Sequence, residues 1–245
     1  MTMNSNTQVF SNPIDKEKLK EEVKKLFTTF DSGGNVSVIS SHTANIEIPN
    51  DFYDVLVMAR NTFMMAFLND KETYKRFLQL KGATISDFTD NYYQKVVQLI
   101  SGPKDGKKQV SDFIKSLYYI EGVIEEKIRN GQYKNQNTRS FEVAVPGEVA
   151  CIFAVMTPAY ILVLKQMAQT NEGIAQDLQV IESKANTAVN TNPENINVNF
   201  NSPLSALPFV LSYIVYAFID DARKNNHTTQ VTSEEIDNLI NSAFN

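Results

Sequence analysis

Residues Lys107–Arg129, KKQVSDFIKSLYYIEGVIEEKIR, carry the clearest periodic signal in the chain, and their reading sets the fold class. Val110, Phe113, Ile114, Leu117, Ile124 and Ile128 recur at helical intervals, which lines them along one stripe and leaves the charged residues to the other side. Upstream, Gly102 and Pro103 stop a helix that Thr84 caps and that carries Ile85, Phe88, Tyr92, Val96, Leu99 and Ile100. A shorter helix with Tyr74, Phe77 and Leu78 precedes it, between Asn69 and Gly82. Before that, Asn50 caps a helix with the stripe Phe52, Leu56, Ala59, Phe63 and Phe67. Val57, Met58, Met64, Met65 and Leu68 add apolar surface on its other sides. This helix is therefore expected at the centre of the fold, with its methionines filling core gaps in preference to forming an adaptable binding surface. The first helix starts at Asn12-Pro13 and sets Leu19, Val23, Leu26, Phe27 and Phe30 against a mixed Lys/Glu face.

Strand signals are fewer. Asp31-Ser32-Gly33-Gly34 breaks the first helix, after which Val36, Val38 and Ser40, then Ile46 and Ile48, alternate as two half-buried strands that a hairpin could join. Beyond the polar loop Asn130–Asn137, Phe141, Val143 and Val145 alternate up to Pro146-Gly147. Ile196, Val198 and Phe200 alternate with four asparagines, a strand pattern suited to pairing within the chain or along the sheet edge of a neighbouring subunit.

Two apolar stretches, residues 149–164 and 203–219, each contain proline and fall short of the roughly 20 apolar residues of a spanning helix, so both are expected as buried core helices. Thr232-Ser233-Glu234-Glu235 opens a last helix with a capping-box pattern, followed by Ile236, Leu239, Ile240 and Phe244. The expected fold is thus mainly α, of α+β type. It is a multi-helix domain of about eight helices with a small antiparallel β element, its strands near 36–40, 45–48, 140–145 and 195–200. Residues 1–12 form an uncharged arm, and 13–245 a single domain whose lobe boundary, if it has one, falls at 131–138.

At 245 residues the chain can bury a core without disulfides or metals. Its net charge of −5 disfavours nucleic acid as a partner. Cys151 is the lone cysteine, in an apolar run where an inert buried thiol is expected. With no signal-peptide pattern at the N-terminus, the expected location is cytoplasmic, or the virion if the protein is viral. The sequons at Asn35 and Asn226 are then chance matches. The 25 asparagines are a compositional bias without chemistry of their own.

Catalytic patterns are scarce. His42 and His227, the two histidines, fall in polar surroundings and read as solvated loop residues. They fit no zinc, di-iron or nucleophilic-triad spacing. Gly102-Pro103-Lys104-Asp105-Gly106-Lys107-Lys108 is Gly-rich and basic, but has three residues between its glycines, no hydroxyl after the lysine and a helix before it, so it is not a phosphate loop. Glu121 and Glu125 share a helix face and, with Glu126 and Asp220-Asp221, are the carboxylates a metal-assisted enzyme would use. Two basic groups, Lys104, Lys107, Lys108 and Lys115, and Lys127, Arg129, Lys134 and Arg139, sit at opposite ends of the long helix, too far apart for one groove.

No catalytic residue, cofactor or metal is assigned. The leading expectation is a non-catalytic structural or interaction subunit of a homo-oligomer or larger protein assembly. A ring, adaptor or minor capsid protein of a phage is one form of it. The candidate interaction residues are Ile196, Val198 and Phe200 on the alternating segment and Val9 and Phe10 on the arm. The alternatives are a carboxylate-based, metal-assisted enzyme and a membrane-inserting protein using 149–164 and 203–219.

Overall fold

The structure, a computed structural model, describes residues 36–39, 42–49, 51–68, 106–134, 137, 139–190, 199–232, 234–235 and 238. Among these the protein is mainly helical, with two small antiparallel β ladders. Strands are β1 (Val36–Ile39), β2 (Thr43–Pro49), β3 (Ser140–Pro146) and β4 (Thr228–Val231). Helices are α1 (Phe52–Phe63), prolonged by a π turn at Met64–Leu68, α2 (Gly106–Arg129), α3 (Gly147–Met167), α4 (Glu172–Asn190) and α5 (Ala206–Lys224), the last entered through a 3-10 turn at Pro203–Ser205. The expected helices over 13–30, 69–82 and 84–101 lie outside the described residues.

α5 is the centre of the fold, a position the sequence reading gave to α1. Ten consecutive residues, Ala206 to Val215, are buried, so every side of the helix meets protein. It packs against α1 and β2 from one side of the polar loop and α3 and α4 from the other. With its leading turn, Pro203–Lys224 spans 22 residues and is long and apolar enough to cross a membrane, which the estimate ending at residue 219 understated; most of its apolar window is nevertheless buried inside the protein. α1 buries a single stripe, Phe52, Leu56, Ala59 and Phe63, as its spacing requires.

The strands near 36–40 and 45–48 exist but do not form a hairpin with each other. β1 pairs with β4, from Val36↔Val231 to Ile39↔Thr228, and β2 pairs with β3, from Thr43↔Pro146 to Pro49↔Ser140. The chain therefore changes ladders between Ile39 and Thr43. The β2–β3 pair buries Ala44, Ile46 and Ile48 against Phe141, Val143 and Val145, the alternation of a two-faced ribbon. Tyrosines take up two outward carbonyls on its edges: Tyr213 Oη of α5 donates to Glu47 O at 2.7 Å, and Tyr119 Oη of α2 to Ala144 O at 3.5 Å.

β3 runs into α3 without a loop, Pro146 standing extended as the helix cap, and Gly147 N donates to His42 O at 3.0 Å. The stops of α2 and α5 share one geometry. Gly131 and Asn226 adopt left-handed backbone, with φ of 62° and 58°, and the next residue donates back five positions, Gln132 N to Lys127 O and His227 N to Ala222 O.

α4 was not anticipated. Asn171 Oδ1 accepts from Ile174 N at 3.2 Å to start it, and Ile174, Leu178 and Ile181 form its buried stripe. Its buried Asp177 accepts from Asn201 N and Ser202 N, each at 2.8 Å, and so fixes the lead into α5. Asn199 and Phe200, the described end of the alternating segment, belong to no strand. The Thr232 capping box does form, with Glu235 N donating to Thr232 Oγ1 at 3.2 Å and Thr232 N to Glu235 Oε2 at 2.7 Å; these hydrogen bonds hold the Glu235 carboxyl below its ordinary range.

Candidate functional site

α1 and α2 face each other antiparallel. Phe63 meets Phe113 edge-on at 5.2 Å in the core, and polar pairs follow along one flank. Arg60 Nε donates to Glu121 Oε1 at 2.5 Å, both side chains being about nine-tenths buried. The guanidinium also lies 4.3 Å from the Tyr118 ring centroid, and its Nη1 donates to Tyr118 Oη at 3.1 Å. The bond to Glu121 raises the proton affinity of Arg60 and keeps it charged. Burial, then the charges of Glu125, Glu121 and Asp54, raise the Tyr53 phenol on the same flank. α2 holds the guanidinium through Glu121 and Tyr118, and Met64 Sδ, one turn on from Arg60, also accepts from its Nη1 at 3.7 Å.

The other flank of α1 carries Met58 and Met65, seven residues apart and thus above one another on the helix. They are 47% and 69% exposed. The expectation that these methionines fill core gaps fails for both, because the core side of α1 is already taken by the Phe52 stripe. Met64 does pack against the core. Tyr118, at 48% exposure, brings an aromatic edge to the surface on the α2 side.

The carboxylates singled out in the sequence are not brought together. Glu121 holds Arg60, Glu125 accepts from Arg129 at 2.7 Å, and Asp220 pairs with Lys224 at 2.6 Å. Among the described residues no group of three or more His, Cys, Asp or Glu is arranged to hold a metal ion. The basic residues are likewise partnered in part, Lys115 with Asp112 at 3.7 Å and Lys134 with Glu47 at 2.5 Å. Of the candidate interaction residues, Phe200 is half-buried and packs its ring on Phe209 of α5 at 5.6 Å; Ile196, Val198, Val9 and Phe10 lie outside the described residues.

The histidines are where sequence reasoning failed most. They are not solvated loop residues: their rings stack on each other, with centroids 4.4 Å apart and an interplanar angle of 18°. His42, its side chain 6% exposed, also rests on Phe218 at 4.5 Å and brings Nε2 to 3.6 Å from Asp221 Oδ2. The geometry follows from the ladders. His42 occupies the step between β1 and β2, and His227 is the last residue before β4, delivered there by the left-handed turn at Asn226. Only the Asn225-Asn226 pair, a helix-stop signal, could have hinted at this.

No protein-family model, no curated protein and no solved structure matches this chain.

Proposed function

We propose that the protein is a non-catalytic interaction subunit that works within a homo-oligomer or a larger protein assembly. One observation carries the reading: Met58 of α1 and Met65 of its π turn stand exposed, about two helical turns apart. Flexible, polarizable methionines on a surface make adaptable contacts, and Met, Tyr and Arg are the residue types enriched where proteins meet. Arg60 and Tyr118, pre-ordered by Glu121 of the facing helix, add a rigid anchor of that kind on the opposite flank of α1. The separation of Glu121, Glu125 and Asp220 onto different cations favours this role over carboxylate catalysis. A ring, adaptor or minor capsid subunit of a phage is one form the role can take.

The test is the absolute solution mass by light scattering over a range of concentrations, for the full chain, for a chain lacking residues 1–12, and for Met58→Glu/Met65→Glu. Association that weakens by about tenfold or more in the double variant is the expected result. A full chain that stays monomeric throughout, and a double variant indistinguishable from it, would count against this surface. Membrane insertion is the second reading, favoured by the length and apolarity of Pro203–Lys224. Flotation of the full chain with liposomes would support it, and its absence would remove that support.

A further inference from the structure

We propose that Met58 and Met65 form a reversible oxidation site for hydrogen peroxide, and that their sulfoxides switch off the contact face on which they stand; the second clause rests on the association surface proposed above. The end of α1 places its methionine sulfurs in two opposed settings. Met64 and Met65 are neighbours in the chain, and the π turn sends them to different sides. Met64 is half-buried against the core, its sulfur accepting from Arg60 Nη1 at 3.7 Å and from Tyr118 Oη at 3.9 Å. Both donors draw on the sulfur lone pairs, the guanidinium with a full positive charge, so this thioether is a weakened nucleophile. Met65 and Met58 are instead open to a solute, at 69% and 47% exposure, whereas Met156 of α3 is buried.

The chemistry needs peroxide alone. A sulfur lone pair attacks one peroxide oxygen and the O–O bond breaks. The departing hydroxide takes the proton left on the transferred oxygen and leaves as water. The thioether loses two electrons and the peroxide gains them. Each sulfoxide turns a flexible apolar side chain into a polar, chiral one. On a face that works by burying two thioethers, two such dipoles must be stripped of water at contact, which opposes association. Occupancy acts in the other direction, since a partner covering the face keeps peroxide from the sulfurs. A methionine sulfoxide reductase, drawing two electrons from thiols that become a disulfide, removes the oxygen as water and restores the face.

Dilute hydrogen peroxide on the full chain, followed by peptide mapping and light scattering, tests both clauses. Met65 and Met58 are expected to gain oxygen at least about tenfold faster than Met64 and Met156. Association should then weaken about tenfold and return after treatment with the reductase. Met58→Leu/Met65→Leu keeps the face apolar without sulfur, so it should associate like the unaltered chain and be indifferent to peroxide. Oxidation of Met64 or Met156 as fast as Met65 would overturn the site. Loss of association on peroxide treatment of the double leucine variant would overturn the switch, the sensitive group then lying elsewhere. A chain that never associates removes the contact face and the switch with it, and the order of oxidation alone then upholds or overturns the site.

Discussion

Arg60 and Glu121 illustrate what single residues decide in this protein. Each is a long charged side chain taken almost wholly out of water, so each depends on the other. Arg60→Met is expected to lower unfolding free energy by about 3 kcal/mol, because it strands a buried carboxylate. Arg60→Met/Glu121→Leu should recover most of that loss, and a double-mutant cycle in urea would measure the difference. Glu47 is a milder case. Burial pushes its carboxyl up, but hydrogen bonds from Lys134 and Ser140 outweigh that and hold it below the ordinary range. A carboxylate with a lowered folded-state value adds stability above its unfolded value, near pH 4.5, and that addition is lost as pH falls through the lower folded value. Glu47→Gln should therefore slightly lower stability above pH 4.5 and flatten the acid limb of the stability curve, the effect being small because the site is partly screened by solvent. That this glutamate faces Glu142 directly across the ladder shows what the Lys134 pair offsets.

Among elements, the lead into α5 hangs on a carboxylate from another helix. Asp177→Ala leaves the Asn201 and Ser202 amides without their acceptor and should cost about 2 kcal/mol, read as a lower thermal or urea midpoint. Asn226→Gly should be neutral or slightly stabilising, and Asn226→Val should cost about 1 kcal/mol or more, because only the second resists left-handed backbone. The helices α1, α2, α3 and α5 were legible because their apolar residues repeat at the helical period or, in α5, fill every side. α4 shows the same spacing at Ile174, Leu178 and Ile181, but its polar remainder, glutamines and asparagines among it, masks the stripe. The strands β1 to β3 were legible by alternation, and their partners were not. Pairing is decided by which elements the core brings alongside, and β4, with the sequence TTQV, has no alternation to betray it.

For the molecule as a whole, α5 sets the order of stability. Its amides over 206–219 should exchange only on global unfolding, and those of the short β1–β4 ladder much sooner, which native-state exchange under mild denaturant would rank. Tyr213→Phe should cost about 1–2 kcal/mol, since Glu47 O loses a buried donor that ties the central helix to β2. The His42–His227 site was hidden from sequence for a whole-molecule reason: two residues far apart in the chain meet only because two ladders share a corner. The exposed methionines were hidden for the opposite reason, as composition alone does not say which side of a crowded apolar helix faces water.

The antiparallel register of β1 and β4 also has a mechanical meaning. Val36 and Val231 form the outermost rung, and the chain leaves the ladder on both sides from that rung. Tension applied to the flanking segments is thus borne by one rung at a time, peeling from Val36/Val231 toward Ile39/Thr228, instead of shearing four rungs together. Such a zipper yields at low force and stops where the stacked rings and the buried α5 begin to carry load, so a pull applied across Val36 and Val231 should part the ladder before α5 yields.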